Sequence, residues 1–173
     1  MSQSILITRE IAQKVRDTVS AGLVKGLGFQ EPGHMCVEAA VCYALGLPHS
    51  DDPGCVLQSL RSLKIRLNDS SWSSNKARAE GLRRLAVAQL GSSGALDEKE
   101  FVKRIVDMTI RKAVPIALRA EAKCNPKHAA KLEAAAVRCE QESTCEAARS
   151  GMNIARDAYA AAVAADAAYY AAS

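Results

Sequence analysis

Residues 34–46, HMCVEAAVCYALG, decide the fold class of this chain. Almost every position from Met35 to Leu45 is apolar, around the full circumference of a helix, and Gly46 then ends the pattern. A helix that is apolar on all sides is normally buried at the centre of a protein. The segment therefore predicts a core helix against which other helices pack.

The sequence on both sides predicts further helices and no strand. Ile11, Val15 and Val19 recur every four residues in a predicted helix over residues 8–24, with Thr8 as its N-cap. Later helix starts are predicted at Asp52-Pro53, at Ser73 or Ser74, at Asp97, at Asn125-Pro126 and at Ser143 with Glu146. Alanine supplies 32 of the 173 residues, and no alternating apolar pattern is sustained. We expect an all-α bundle of about seven helices.

The domain organisation follows from one polar break. Ser92-Ser93-Gly94 is the clearest internal boundary. We expect residues 1–91 to form the N-terminal part of the bundle and residues 92–173 to form a kinked helix and an alanine-rich arm, within one continuous domain. Pro115 lies inside the fifth helical pattern, where it removes a backbone hydrogen bond, so we expect the kink there.

The alanine-rich arm ends in the midst of its helical pattern, which indicates either a truncated chain or a tail that lies along a partner. It has few large apolar side chains, and an isolated helix of this kind is marginal in water. Tyrosines supply both area and a hydroxyl at interfaces. We therefore predict that the arm is an interface with a protein partner or with a second copy, through Tyr159, Tyr169 and Tyr170.

The stretch from Glu31 to Gly91 resembles a group of uncharacterised bacterial and phage-type helical proteins. The segments that carry the resemblance are MCVEAAVCYALGLPH at residues 35–49, Asp52-Pro53, IRLND at residues 65–69 and Trp72-Ser73-Ser74. The Ala/Tyr-rich tail is similar to the tails of that group and of some proteins proposed to confer immunity. The resemblance implies no activity, because none is known for the group.

Residues 59–84 carry seven basic side chains and two acidic ones. Such a patch suits an acidic protein, a nucleic acid or a phosphate ligand, although a solvated helical face has the same composition. We expect Arg61, Lys64 and Arg66 to point outward from the third predicted helix. The predicted binding residues are Arg61, Lys64, Arg66, Arg83 and Arg84.

The sequence predicts a candidate pocket whose members are His34, Cys36, Glu38, His49 and Trp72. Cys36 lies in the first turn of the predicted core helix, where the helix dipole favours a thiolate, but burial in an apolar run opposes this. A cysteine beside a histidine is the minimum for a thiol nucleophile, whereas packing is the simpler interpretation. Glu38 is the only charge between His34 and Ser50, so it either pairs with a base such as Arg66 or faces a ligand.

Metal binding is not indicated by the spacing of the available ligands. His34, Cys36, Cys42, His49 and Cys55 form no Cys-x-x-Cys pair, and Cys36 and Cys42 lie on different sides of a helix. Asp51-Asp52 and Asn68-Asp69 suit a hard cation but also suit helix capping and turns. We expect no metal and no cofactor.

The sequence contains no glycine-rich phosphate loop, nucleophile elbow or HExxH motif. It also lacks a secretory leader pattern and a membrane-spanning segment, so we expect a cytoplasmic protein with reduced cysteines. We predict a non-catalytic binding protein of the immunity, antitoxin or phage anti-defence type. The alternatives are a small-molecule-binding protein or enzyme with its site in residues 31–69, and a nucleic-acid-binding protein that uses the basic face.

Overall fold

The computed structural model describes residues 6–172, apart from the side chains of residues 162–172. Helices make up 69% of the chain, and the described residues form no strand. Their one isolated β-bridge joins Gly28 and Met35. The predicted all-α, multi-helix fold is confirmed.

The chain divides into two compact units, Met1–Glu98 and Lys99–Ser173. The helices of the N-terminal unit are α1 (Arg9–Ser20), α2 (Val37–Leu45), α3 (Gln58–Asp69) and α4 (Asn75–Ala88). The C-terminal unit continues with α5 (Glu98–Met108), a π-helical segment (Thr109–Ala113), α6 (Val114–Cys124), a 3-10 turn (Pro126–His128), α7 (Ala129–Glu142) and α8 (Cys145–Ala172).

The N-terminal unit is built around α2, as the composition of that helix predicts. Helices α1, α3 and α4 all pack against it. Of the nine residues of α2, only Tyr43 and Leu45 are not buried. Val15 and Val19 of α1 and Leu82 of α4 complete the apolar core.

Local sequence signals predicted two helix starts of the N-terminal unit correctly and one wrongly. The Thr8 hydroxyl accepts a hydrogen bond from the Ile11 amide, and the Ser74 hydroxyl accepts one from the Ala77 amide, which confirms both predicted N-caps. The predicted start of α3 at Pro53 is wrong. Helix α3 begins only at Gln58, because the preceding residues form a loop whose Leu57 amide donates to the Ser92 hydroxyl at 2.9 Å.

In the C-terminal unit, α6, α7 and α8 pack together as a small three-helix bundle. Its core contains Leu118, Leu132, Ala136 and Cys139. Small residues let α6 and α8 approach closely, since a Cβ added at Gly151 would lie 2.9 Å from the Leu118 side chain. A larger residue at that crossing would require the Leu118 side chain to shift.

Two junctions in the C-terminal unit differ in detail from the sequence prediction. Pro115 does interrupt a long helix, and the disturbance is the π-helical segment directly before α6. The predicted capping box of Ser143 and Glu146 is wrong. Ser143 ends α7 in the left-handed conformation, and the Thr144 hydroxyl caps α8 by accepting from the Ala147 amide.

Candidate functional site

The central helix α2 carries a buried ion pair. Lys64 Nζ of α3 lies 3.2 Å from Glu38 Oε1, and Gln89 Nε2 donates to Glu38 Oε2 at 3.0 Å. All three residues are 0% exposed. No solute reaches this cluster in the folded unit, so its direct role is structural.

Burial controls the protonation of both charged groups. It raises the pKa of Glu38, although attraction to Lys64 opposes the shift. It lowers the pKa of Lys64 to about 8, because desolvation of the ammonium outweighs attraction to Glu38. Each charge is thus costly to bury, and each is tolerated only because the other is present.

The prediction that Lys64 points outward is wrong. It lies on the α3 side that packs against α2, and its partner is the carboxylate of Glu38, which has no other base within ion-pair distance among the described residues. The expected pairing of Glu38 with a base is therefore observed, but that base is Lys64 rather than Arg66, which is exposed. The sequence signal was the isolated charge in an apolar helix, which requires a partner from another helix.

The basic stretch between residues 59 and 84 is only partly a surface. Arg78 is buried and donates to the carbonyl oxygens of Asn68 and Leu23. Arg61 donates to both the backbone carbonyl and the carboxylate of Asp51, at 2.6 Å each. Of the predicted binding residues, Arg66 and Arg84 are exposed and Arg83 is half-buried.

Cys36 is the N-cap of α2 rather than a residue of its first turn. Its Sγ accepts a hydrogen bond from the Ala39 amide at 3.3 Å. The side chain is 5% exposed, and burial raises its thiol pKa. The same cause raises the pKa of Cys42 to about 12. These thiols are placed for packing and capping rather than for nucleophilic attack.

The other members of the candidate pocket each have a separate partner. His34 is exposed and lies 3.7 Å from the Glu31 carboxylate. His49 Nε2 lies 3.1 Å from the Gly28 carbonyl oxygen. The Trp72 indole donates to the Leu67 carbonyl at 2.8 Å, with its ring against Gly81 of α4.

Of the residues considered for a hard cation, Asp51, Asn68 and Asp69 border a small cavity of about 40 Å³, which Cys36 also lines. Asp51 is engaged by Arg61, and Asp69 Oδ1 accepts from the Gly26 amide at 2.8 Å. Within the described part of the chain, no group of three or more histidine, cysteine or acidic residues is arranged to hold a metal ion.

The C-terminal unit presents a different kind of surface, because α5 buries none of its residues. Val102, Val106 and Met108 are 42%, 41% and 48% exposed, and Phe101 and Ile105 are half-buried. These five apolar residues share one side of the helix, and we call them the α5 apolar face. Among the described residues, no other helix packs extensively against α5.

A second apolar feature of this unit is a groove of about 640 Å³ between α6 and α8. Its walls include Leu118, Ala148, Met152 and Ala155, of which Met152 is 57% exposed. Glu121 of α6 and Arg149 of α8 also line it. We call this feature the α6–α8 groove.

The predicted tyrosine interface can be described in part. Tyr159 is 66% exposed on α8. The side chains of Tyr169 and Tyr170 lie outside the described residues. The role of the arm stays a prediction.

Comparisons with protein-family models, with curated proteins and with solved structures found no match. None of the described helices is both long enough and apolar enough to cross a membrane.

Sequence reasoning placed the apolar residues of α5 in the fifth predicted helix but assigned them no functional role. The available signal was their number and spread, since five large apolar residues occur within eight positions, while the helix also carries charges along its opposite side. Such a pattern requires a covering partner but does not say where that partner lies.

Proposed function

We propose that this protein is a non-catalytic binding protein, of the immunity, antitoxin or phage anti-defence type, that docks onto another polypeptide through its C-terminal unit. The observation that carries the proposal is the α5 apolar face. An amphipathic helix with no buried residue is unusual in a folded unit, because its apolar side gains stability only when something covers it.

The polar side of α5 supports this use. Arg104 pairs with Glu100 at 2.8 Å, and Asp107 accepts from Arg111 at 2.9 Å and from Ser143 at 2.5 Å. These contacts hold the helix and fix its last turn against α7 without covering its apolar residues. The helix is thus presented in a preformed state, which lowers the entropic cost of binding.

The alternative sites receive less support from the geometry. In residues 31–69 the candidate groups are buried or engaged with one another, as in the pair of Glu38 and Lys64. In the basic stretch, Lys64 and Arg78 serve the interior, which leaves a smaller exposed set for nucleic acid. The exposed apolar residues of the C-terminal unit, in contrast to these two sites, are not accounted for by contacts within the fold.

The test is cross-linking capture from cells with the full chain as bait. The bait carries Val106→Glu in one arm and Ala134→Glu in a control arm; both positions are exposed and both changes add one negative charge. We expect a stoichiometric protein that cross-links to Lys99 or Lys103, is lost with Val106→Glu and is retained with Ala134→Glu. Retention with Val106→Glu, or cross-links confined to the basic stretch, would contradict the proposal.

A further inference from the structure

The C-terminal unit contains both an unpartnered helix and an unfilled groove. Helices α6, α7 and α8 pack together as a bundle, and the α6–α8 groove between two of them has a length and an apolar lining that would accept a fourth helix. The α5 apolar face has the composition of that fourth helix. The unit therefore carries the two halves of one interface.

The dimensions of the two halves agree. The groove is lined from Val114 to Glu121 on α6 and from Ala148 to Ala155 on α8, about 10 Å along each helix. Phe101, Ile105 and Met108 have the spacing i, i+4, i+7 of a helix that lies in a groove, with Val102 and Val106 beside them on the same face, and this stretch also extends about 10 Å.

The charges bordering the two halves are also compatible. The α6 wall of the groove carries Glu121 and the α8 wall carries Arg149. Lys99 and Lys103 lie beside the α5 apolar face on one side, and Arg104, which pairs with Glu100, borders its other side. The basic flank of Lys99 and Lys103 is complementary to Glu121, and the pairing with Glu100 offsets the charge of Arg104 opposite Arg149.

The same chain does not bring the two halves together. Helix α5 continues through the π-helical segment into α6, so it extends away from the groove rather than folding back over it. The contacts of Asp107 with Arg111 and with Ser143 fix the α5 end of this junction. A second copy has no such restriction.

We propose that two copies of this chain exchange α5, so that the α5 apolar face of each copy fills the α6–α8 groove of the other. This inference rests on the proposed function, because it names the first polypeptide that the α5 surface binds. The exchange is reciprocal and closed, which gives a dimer rather than an open chain of subunits. In each half of the dimer a four-helix arrangement is completed.

The exchange is tested by the mass of the purified full-length chain in solution, measured by light scattering over a concentration series. We expect the mass to rise from one chain to two. Val106→Glu on α5 and Met152→Glu in the groove should each weaken dimerisation by more than about tenfold, because each places a carboxylate in an apolar contact. Ala134→Glu, an exposed position of α7, should leave the mass unchanged.

Mixing the two variants identifies the arrangement. A heterodimer of Val106→Glu and Met152→Glu chains retains one unaltered helix and one unaltered groove that face each other, so the mixture should regain part of the dimer. A direct contact between two α5 helices would instead be abolished by Val106→Glu, unaffected by Met152→Glu and not restored by mixing; that result would overturn the exchange.

The outcomes also separate this inference from the proposed function. A chain that stays monomeric at every concentration, but whose capture of another protein is still lost with Val106→Glu, overturns the exchange and leaves the binding function standing. If Val106→Glu changes neither mass nor capture, both are wrong.

Discussion

The two units of this chain differ in where they place charge and in how far their helices are buried. The N-terminal unit places an ammonium and a carboxylate, Lys64 and Glu38, at 0% exposure beside its most apolar helix. The C-terminal unit keeps its ion pairs on the outside and leaves Val106, Ile116 and Met152 exposed, at 41%, 69% and 57%. The N-terminal unit also exposes apolar side chains, with Phe29 at 78%, but each of its helices buries part of its surface, whereas α5 of the C-terminal unit buries none.

This difference shows what each unit requires. Buried charges are stable only when their partners are held in place, so the N-terminal unit depends on its own complete packing. Exposed apolar side chains cost stability that a partner recovers, so the C-terminal unit gains from association. Substitutions should therefore affect folding in the first unit and association in the second.

The largest effect is expected from breaking the buried pair. Lys64→Met leaves the Glu38 carboxylate without its cation in the core, and should lower the free energy of unfolding by about 3–5 kcal/mol. The double variant Glu38→Leu/Lys64→Met removes both charges and should recover most of that loss. Urea denaturation monitored by circular dichroism measures both.

If Lys64→Met alone leaves the urea midpoint unchanged, Lys64 and Glu38 are not buried together, and the N-terminal unit does not depend on this ion pair.

A smaller loss is expected at Arg78. Arg78→Met removes the donors to the carbonyl oxygens of Leu23 and Asn68, and should cost about 1–3 kcal/mol. Arg84→Met is the matched control, because Arg84 is exposed and its replacement should change stability by less than about 0.5 kcal/mol. Equal melting temperatures for the two variants would show that Arg78 is solvated like Arg84.

The pH dependence of stability sharpens the comparison further. Folding lowers the pKa of Lys64 from 10.5 to about 8, so between these values unfolding takes up a proton and this group makes stability rise with pH. Folding raises the pKa of Glu38 above 4.5, so just above pH 4.5 stability falls as pH rises.

The measurement is the difference in unfolding free energy between the wild type and Glu38→Leu/Lys64→Met. Above pH 8 this difference should move in favour of the wild type by at most about 1.4 kcal/mol per pH unit. A difference that is flat from pH 7 to 10 would contradict the lowered pKa of Lys64.

The smallest effect concerns the thiols and leaves stability unchanged. Cys36, Cys42 and Cys55 of the N-terminal unit are buried, whereas Cys124 and Cys145 of the C-terminal unit are exposed. In native protein we expect a thiol reagent to label the two exposed cysteines rapidly and the buried ones only after denaturation. Rapid labelling of Cys36, located by peptide mass spectrometry, would restore the nucleophile interpretation.

Features that depend on residues close together in the sequence were predicted, whereas features that depend on contacts between different helices were not. The central position of α2 and the caps Thr8 and Ser74 follow from local composition, and they are observed. Lys64 was misplaced because its partner comes from a different helix, and helical spacing does not reveal which base approaches Glu38.

The α5 apolar face shows the same limit of sequence reasoning, because helical spacing does not reveal whether a partner covers the helix. Its residues have the spacing of an amphipathic helix, which predicts the helix but does not say what covers its apolar side. Whether such a face is covered depends on the turn that follows, and here the helix continues into α6 instead of reversing. The open surface is a property of that junction and not of α5 itself.

The most direct test of the contrast between the buried helix α2 and the uncovered helix α5 is amide hydrogen exchange of the full chain at several protein concentrations. The account predicts that amides of α2 are strongly protected at every concentration, while amides of α5, whose helix is formed but uncovered, exchange faster than those of α2 in dilute protein and become more protected as the concentration rises. Equal protection of α5 and α2 in dilute protein would contradict it, because α5 would then be covered within a single chain.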